Sequence, residues 1–181
     1  NISSPNTENL RNFHDQSKLE KLLDKIQNEK KILKSNIPIV VKIAPDIIDS
    51  EIEKISEVLL IKKIDAVIIS NSSDGSRENL KDIKKYQKGG LSGKPLEDKS
   101  NLLINKFNKN IKGKIKIIGV GGVDSGLSAY NKFLSGADLI QLYTGMVYKG
   151  PNIVNLIKND LTKLLLRDGI KNFKEIIGKK N

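Results

Sequence analysis

The chain has 181 residues, no cysteine, one histidine and a formal net charge of +11. This length suits a single domain with a substantial core, and the lack of cysteine excludes disulfides and thiolate metal sites. The single histidine, His14, argues against a histidine triad or a zinc site, so we predict no metal centre; we expect this residue on the surface because its segment is polar. We discount nucleic-acid binding because the lysines are spread among Asn and Glu and aromatic residues are few. No stretch is long and apolar enough to span a bilayer.

The first third of the chain predicts a helix, a strand and a second helix. After a polar loop to about Asp15, apolar residues recur at helical spacing from 17 to about 34. The run at 37–44, IPIVVKIA, is rich in β-branched residues and predicts a buried strand. Asp49 or Ser50 then suits the N-cap of the next helix. We expect these inward residues in the two helices: Leu19, Leu22, Leu23, Ile26 and Leu33, then Ile52, Ile55, Val58 and Leu59.

The middle of the chain continues the alternation. Residues 65–70, DAVIIS, predict a strand, and a polar, glycine-bearing loop follows to about residue 94. A helix is expected from about 96 to 110, with Leu103, Ile104 and Phe107 facing inward.

The stretch 117–126, IIGVGGVDSG, combines a strand, a glycine turn and a helix start. Glycines at 119, 121 and 122 let the backbone approach a ligand closely. Asp124 or Ser125 suits the N-cap of a helix whose inner face begins with Leu127, Tyr130 and Phe133. Free N–H groups at such a turn suit a phosphate. An ordinary tight turn explains the same residues, so both interpretations stay open here.

The last part of the chain predicts one more strand and helix. Residues 137–143, ADLIQLY, form the strand, and Pro151 suits the first turn of a helix that ends near Gly169. Its inner face carries Ile153, Ile157, Leu161 and Leu164, and residues 173–177 add a short turn.

The alternation predicts four parallel strands, with the end of a further strand at Asn1. A doubly wound sheet and part of a (β/α)₈ barrel both fit. Polar and glycine residues follow each strand, and the last two strands lead into phosphate-type turns, IGVGG and LYTG. In barrels the loops after strands seven and eight often bind phosphate. We therefore predict an α/β fold in which residues 1–181 form roughly the C-terminal half of a (β/α)₈ TIM barrel.

Six sequence blocks resemble the class 2 dihydroorotate dehydrogenases, in the family's order and approximate spacing. The resemblance covers nearly the whole chain. The blocks are NISSPNTENLR at 1–11, VVKIAPD at 40–46, IISNSS at 68–73, GGLSGKPL at 89–96, IIGVGGVDSG at 117–126 and LIQLYTGMVYKGP at 139–151.

The resemblance implies a single barrel domain with FMN at its C-terminal face, the N-terminal half being absent from this chain. It implies oxidation of dihydroorotate to orotate in de novo pyrimidine biosynthesis, with a hydride passed to FMN and electrons then to quinone. The missing N-terminal part would carry the quinone entrance. In eukaryotes, class 2 members lie at the mitochondrial inner membrane.

The resemblance also implies roles for residues. The family's catalytic base falls on Ser4, where class 1 enzymes have cysteine, so this serine favours class 2. The orotate ligands of this half fall on Asn1, Asn6, Asn71 and Ser72. The FMN contacts fall on Lys42, Ser70, Ser92, Gly93, Gly121, Gly122, Tyr143 and Thr144.

Lys42 can also be interpreted from the residues around it. An unpaired lysine is costly to bury in an apolar strand. If Val41 and Ile43 face the helices, Lys42 points into the barrel, where its charge could stabilise a reduced flavin and make it a catalytic residue. A buried ion pair or a strand-edge lysine is the alternative. Ser4 and Asn71, taken without the family, also fit ordinary turn residues.

The chain departs from the family in three respects. Serines at 70, 72 and 73 stand where the family commonly has threonine, and the charged loop 74–88 has no assigned place. The first half of the barrel is absent, so we expect the isolated chain to be unstable or inactive until the missing half, in the same or another chain, completes it. Another FMN- or phosphate-binding barrel enzyme, and a non-enzymatic fragment, remain alternatives.

Overall fold

The computed structural model describes residues 1–179 and contains one parallel sheet with strands in the order β1-β2-β3-β4. The strands are β1 Val40–Lys42, β2 Ala66–Ile69, β3 Lys116–Val120 and β4 Leu139–Gln141. The helices are α1 Gln16–Ile32, α2 Asp49–Ile61, α3 Glu97–Ile111, α4 Gly126–Ser135, α5 Thr144–Lys149 and α6 Ile153–Arg167. Short 3₁₀ turns cover Leu10–His14, Ile83–Tyr86, Lys94–Leu96 and Phe173–Ile176. None of the helices in the described part is long and apolar enough to cross a membrane.

The strand order matches a barrel segment. A doubly wound sheet reverses its strand order at a switch point, whereas here every strand pairs with the next strand in the sequence. The helices follow the same rule: α1 packs on α2, α2 on α3, α3 on α4 and α4 on α6. The predicted parallel α/β alternation is therefore confirmed.

The two faces of the sheet are covered differently. The main core lies between the sheet and the helices, where Val41, Val67 and Ile117 pack against α1, α2 and α3. On the opposite face Ile68 and Ile118 are only half-buried, and Leu139 is 57% exposed. Among the described residues, β1 pairs only with β2 and β4 only with β3. Both sheet edges and the inner face thus remain largely uncovered, as expected of a partial barrel.

Several local expectations were wrong. Leu33 is 72% exposed because it caps the end of α1, and Ile26 is also exposed. The N-cap of α2 is Ile48, whose amide donates to Glu51 Oε2 (2.8 Å), and neither Asp49 nor Ser50 caps this helix.

The expectations for α4 were partly right. Ser125 caps this helix and accepts from the Ser128 amide (3.2 Å). Tyr130 and Phe133 are buried as expected, but Leu127 is exposed. The N-terminal residues are not a strand, although the Ile2 amide donates to the Lys42 carbonyl (3.3 Å) beside β1.

His14 is buried, contrary to the expected surface position. Its Nε2 accepts a hydrogen bond from the Ala44 amide (3.3 Å), two residues past the end of β1. Burial lowers the pKa of this imidazole and favours its neutral form. No local pattern indicates this contact, because Ala44 lies 30 residues from His14 in the sequence.

Lys132 of α4 is fully buried beneath the sheet. Its Nζ donates to Asn101 Oδ1 (2.8 Å) in α3, and its stem crosses β3 at Gly119, where a Cβ atom would lie 2.9 Å from Lys132 Cδ. Glycine at 119 therefore makes room for this side chain. Burial lowers the pKa of Lys132 to about 8, although Glu97 and Asp98 oppose that shift.

The buried amine makes stability depend on pH. Because the folded-state pKa lies near 8 and the usual value is 10.5, the folded state loses this proton first. The free energy of unfolding should therefore rise by about 3 kcal/mol as the pH increases through this window. In Lys132→Met this contribution should disappear, whereas the exposed-site variant Lys109→Met should keep it. Denaturant titrations at several pH values measure the difference, and identical profiles for both variants would contradict the assignment.

Candidate functional site

One cleft of about 830 Å³ lies at the carboxyl ends of all four strands. Its walls come from the end of β1 at Lys42, the residues after β2 at 70–72, the glycine turn after β3 at 120–124 and the residues after β4 at 142–145. A segment of the long loop at 87–96 closes another side. Parallel strands end at the same edge of a sheet, so polar residues far apart in sequence meet here.

The glycine turn is pressed against the start of α3. Gly121 and Gly122 have φ values of +117° and +76°, which favour glycine. A Cβ atom at Gly122 would lie 2.5 Å from Glu97 Cβ and 2.8 Å from Glu97 N. Ser100 Oγ donates to the Val120 carbonyl (2.7 Å) and fixes the end of β3. The turn thus offers backbone rather than side chains to the cleft.

A second pair of segments meets across the cleft. Thr144 Oγ1 donates to Ser92 Oγ (3.0 Å). Gly93 has φ +81°, and a Cβ atom there would lie 2.9 Å from Thr144 Cγ2. The structure therefore brings Ser92 and Gly93 together with Tyr143 and Thr144, as their shared assignment to one cofactor requires.

Lys42 lies on the cleft side of β1. Its neighbours Val41 and Ile43 are buried against the helices, so the predicted orientation is confirmed. Within residues 1–179, no carboxylate oxygen lies within 4 Å of the Lys42 amine. This leaves its charge available to the cleft.

Two further cleft lysines were missed by sequence reasoning. Lys94 Nζ and Lys149 Nζ lie 3.7 and 3.5 Å from the carboxylate of Asp124. Lys149 also donates to the Asp124 carbonyl (2.9 Å). These lysines flank the glycine turn, but Asp124 and Glu97, to which Lys94 also donates, balance their charge. Their charge gave no distinct signal in so lysine-rich a sequence.

The predicted substrate residues are linked by a serine that the sequence did not single out. Asn71 Nδ2 donates to Ser3 Oγ (3.0 Å) and to Asn1 Oδ1 (3.4 Å), and Ser3 Oγ donates to Asn1 Oδ1 (2.6 Å). Asn71 Oδ1 accepts from the Ser72 amide (2.7 Å). Asn71 and Ser72 line the cleft, and buried Ser3 connects Asn1 to them.

Ser4 and Asn6 lie beside the cleft and do not line it. The Asn6 amide donates to Ser4 Oγ (3.2 Å), which shapes the turn around Pro5. Pro5 and Asn6 line a neighbouring cavity of about 590 Å³ together with the long loop. Of the predicted site residues, only Asn1, Ser4 and Asn6 are therefore outside the cleft wall.

The charged loop 74–88, which could not be placed from the sequence, forms part of the cleft wall through residues such as Arg77, Leu80 and Asp82. Ser73 and Leu91 form an antiparallel bridge at its base. The Arg77 guanidinium donates to the carbonyls of Lys85 (3.3 Å), Gln87 (2.6 Å) and Gly89, which folds the loop back on itself. Tyr86 at its tip is 82% exposed. No cluster of acidic or histidine side chains suited to a metal ion occurs in the described part of the chain.

Comparison with known proteins identifies the family. The family model described as dihydroorotate dehydrogenase matches residues 1–165. The chain belongs to the dihydroorotate dehydrogenase family. A relative from Bartonella tribocorum, named dihydroorotate dehydrogenase (quinone), is 40% identical over 97% of this chain and 50% of its own length. A mitochondrial relative of the same name from Oryza sativa subsp. japonica is 41% identical over 98% of this chain and 39% of its own length.

The fold agrees with solved structures of this family. The dihydroorotate dehydrogenase of Eimeria tenella in complex with ferulenol superposes with a TM-score of 0.94 at 32% identity, covering 98% of this chain and 52% of the other. The chain spans about half the length of the curated relatives it matches. The resemblance to the quinone-linked, class 2 members is confirmed, and so is the partial-barrel architecture.

Substitution of Gly122 tests the packing of the glycine turn. In Gly122→Ala the new Cβ atom would collide with Glu97 at a backbone position of positive φ. In Gly113→Ala the φ is similar (+73°), but the new Cβ atom would lie in open space. The strained φ alone should cost about 1 kcal/mol in both variants. We expect the unfolding free energy to fall by at least ~2 kcal/mol more in Gly122→Ala than in Gly113→Ala, because the backbone at Glu97 must shift. Equal losses, measured by chemical denaturation, would show that the turn does not press on α3.

Proposed function

We propose that this chain supplies the C-terminal half of a barrel that oxidises dihydroorotate to orotate in pyrimidine biosynthesis, using FMN and passing electrons to a membrane quinone. The observation that carries the proposal is the single cleft. Every residue assigned to FMN from the family pattern lines it, although these residues come from four strand ends and a loop. The names of the quinone-linked relatives support the acceptor, and the mitochondrial rice relative supports the inner membrane as location if the source is eukaryotic.

The cleft residues fit the parts of FMN. The bare turn at Gly121 and Gly122 suits the phosphate because glycine leaves the backbone N–H groups open to a ligand. Lys94 and Lys149, both paired with Asp124, lie beside it. The side chains of Ser70, Ser92 and Thr144 offer hydroxyl groups to the rest of the cofactor. When bound, FMN would supply the chemistry of hydride acceptance. Lys42 would place a positive charge in the wall of the same cleft, where negative charge develops.

The substrate would lie against Asn71 and Ser72. Amide groups both donate and accept hydrogen bonds, which suits the imide and carboxylate groups of dihydroorotate. The bonds from Asn71 to Ser3 and Asn1 fix the orientation of its amide. Asn1 and Asn6 would complete the set from the neighbouring loop.

Ser4 is the proposed base for the substrate proton. A free serine hydroxyl is a weak base and must pass its own proton onward, through water or a neighbouring hydroxyl such as that of Thr7. The single histidine of the chain is occupied by the Ala44 amide and is not available to help. Proton removal should therefore be slow and should accelerate as the pH rises.

Ser4→Ala tests the base. In the complete barrel we expect dihydroorotate-dependent FMN reduction to slow by at least ~100-fold, since general base catalysis typically contributes that much. FMN content should be unchanged because Ser4 does not line the cleft. Stopped-flow absorbance measures the rate, and Ser76→Ala, an exposed serine of the adjoining loop, is the matched control. A full rate in Ser4→Ala, or a wild-type rate independent of pH, would contradict the assignment.

Lys42→Ala tests the cleft charge. The loss of this positive charge should weaken FMN binding by roughly tenfold and slow FMN reduction, because the anionic cofactor loses an electrostatic partner in a partly buried site. Lys116→Ala, at the exposed start of β3, removes the same charge away from the cleft and should change neither quantity. Fluorescence titration of the apoprotein with FMN measures affinity. Equal affinity in both variants would refute the role of Lys42.

A further inference from the structure

Arg11 joins the two loops that carry the proposed base and substrate ligands. Its Nε donates to the Ser3 carbonyl (3.4 Å), directly before Ser4. Its NH2 donates to the Ser72 carbonyl (3.3 Å), directly after Asn71. The two acceptors are separated by nearly 70 residues in sequence, so one guanidinium adds a backbone link between two loops that Asn71 also joins through Ser3 and Asn1.

Asp46 orients this guanidinium from the loop after β1. Its carboxylate lies 3.5 Å from Arg11 NH2 and is largely buried. The same carboxylate accepts from Ser73 Oγ (2.6 Å), from the Asp74 amide (3.1 Å) and from Lys99 of α3. Burial would raise the pKa of Asp46, but the bonds from Lys99 and Ser73 prevail and lower it to about 2, so the group stays ionised at working pH.

The geometry requires arginine at position 11. A guanidinium presents several N–H groups in a fixed plane and can serve Ser3, Ser72 and a carboxylate at once. A lysine amine is a compact point charge and cannot span these acceptors together. Asp74 also accepts from Arg11 NH1 (2.5 Å), but its side chain is 53% exposed, so this pair contributes less.

We propose that Arg11 and Asp46 are positioning residues that hold the Ser4 loop in register with the Asn71–Ser72 loop. This inference rests on the proposed function, because it explains how the base and the substrate ligands keep their relative distance. Neither residue lines the cleft. Their effect on the reaction passes through the backbone carbonyls of Ser3 and Ser72 and through the Asp74 amide.

The test compares Arg11→Lys and Asp46→Asn with Asp74→Asn in the complete barrel. Asp74→Asn removes a charge from the same guanidinium but leaves the Asp74 amide in place, so it is the matched control. We expect Arg11→Lys and Asp46→Asn to slow dihydroorotate-dependent FMN reduction by roughly 10- to 100-fold. The Kd for orotate, measured by calorimetry, should rise about tenfold. FMN content should stay at the wild-type level, and the control should stay within about twofold of wild type.

A merely structural role gives a different pattern. It would lower the unfolding midpoint and the FMN content, but leave the reduction rate per bound FMN and the orotate Kd unchanged, and that result would overturn the proposal. Arg11→Lys keeps the positive charge, so it serves as the test if Asp46→Asn does not fold.

Hydrogen exchange separates this inference from the proposed function. In Arg11→Lys, the amides of residues 1–9 and 70–76 should lose protection together, including the Asp74 amide that donates to Asp46. If the wild-type barrel neither binds orotate nor oxidises dihydroorotate, the proposed function fails, while this joint loss would still support the link between the loops. Unchanged protection in both segments refutes the link whatever the activity.

Discussion

The strict register of the parallel sheet is the constraint on which the site depends. Val41, Val67 and Ile117 are aligned in one row across three strands, and helices bury all three. Because side chains alternate along a strand, the next row must face the other way. That row brings Lys42 beside Ile68 and Ile118 on the inner face. Burial of one row by helices thus determines which residues are left for chemistry.

Helix α3 is the common support of the strand-end loops. Glu97 packs on Gly122, Ser100 holds the carbonyl of Val120, and Lys99 reaches Asp46 on the loop after β1. Residues of the first helical turns thus contact both the glycine turn of the cleft and the loop after β1 that carries Asp46. The cleft owes its shape to this helix, although only the 3₁₀ turn before it lines the cavity.

Short-range patterns predicted the elements and the direction of Lys42, because a period of two residues and a glycine cluster are local signals. These patterns failed where a tertiary contact determines whether a residue is buried. His14 is buried by the Ala44 amide, and Ile26 is exposed although its helical spacing matches that of buried Leu19 and Leu23.

The same limit applies to the site. The link from Asn1 through Ser3 to Asn71 crosses about 70 residues of sequence, and no periodicity encodes it. Family resemblance supplied Asn1 and Asn71 as candidates, but it did not supply the serine between them. Arg11 and Asp46 lie in two of the sequence blocks that resemble the family, but no role was predicted for either residue. Their partners become neighbours only in the folded protein.

The nearest-neighbour order of strands and helices has a consequence for biogenesis. Each βα unit packs on the unit before it, so a newly synthesised unit finds its docking surface already present on the emerging chain. Each strand of the described part pairs only with strands next to it in the sequence, so no pairing within this half skips a unit. It also means that β1 and β4 are the two positions where the sheet can accept further strands, so closure would be the one long-range step in assembling a complete barrel.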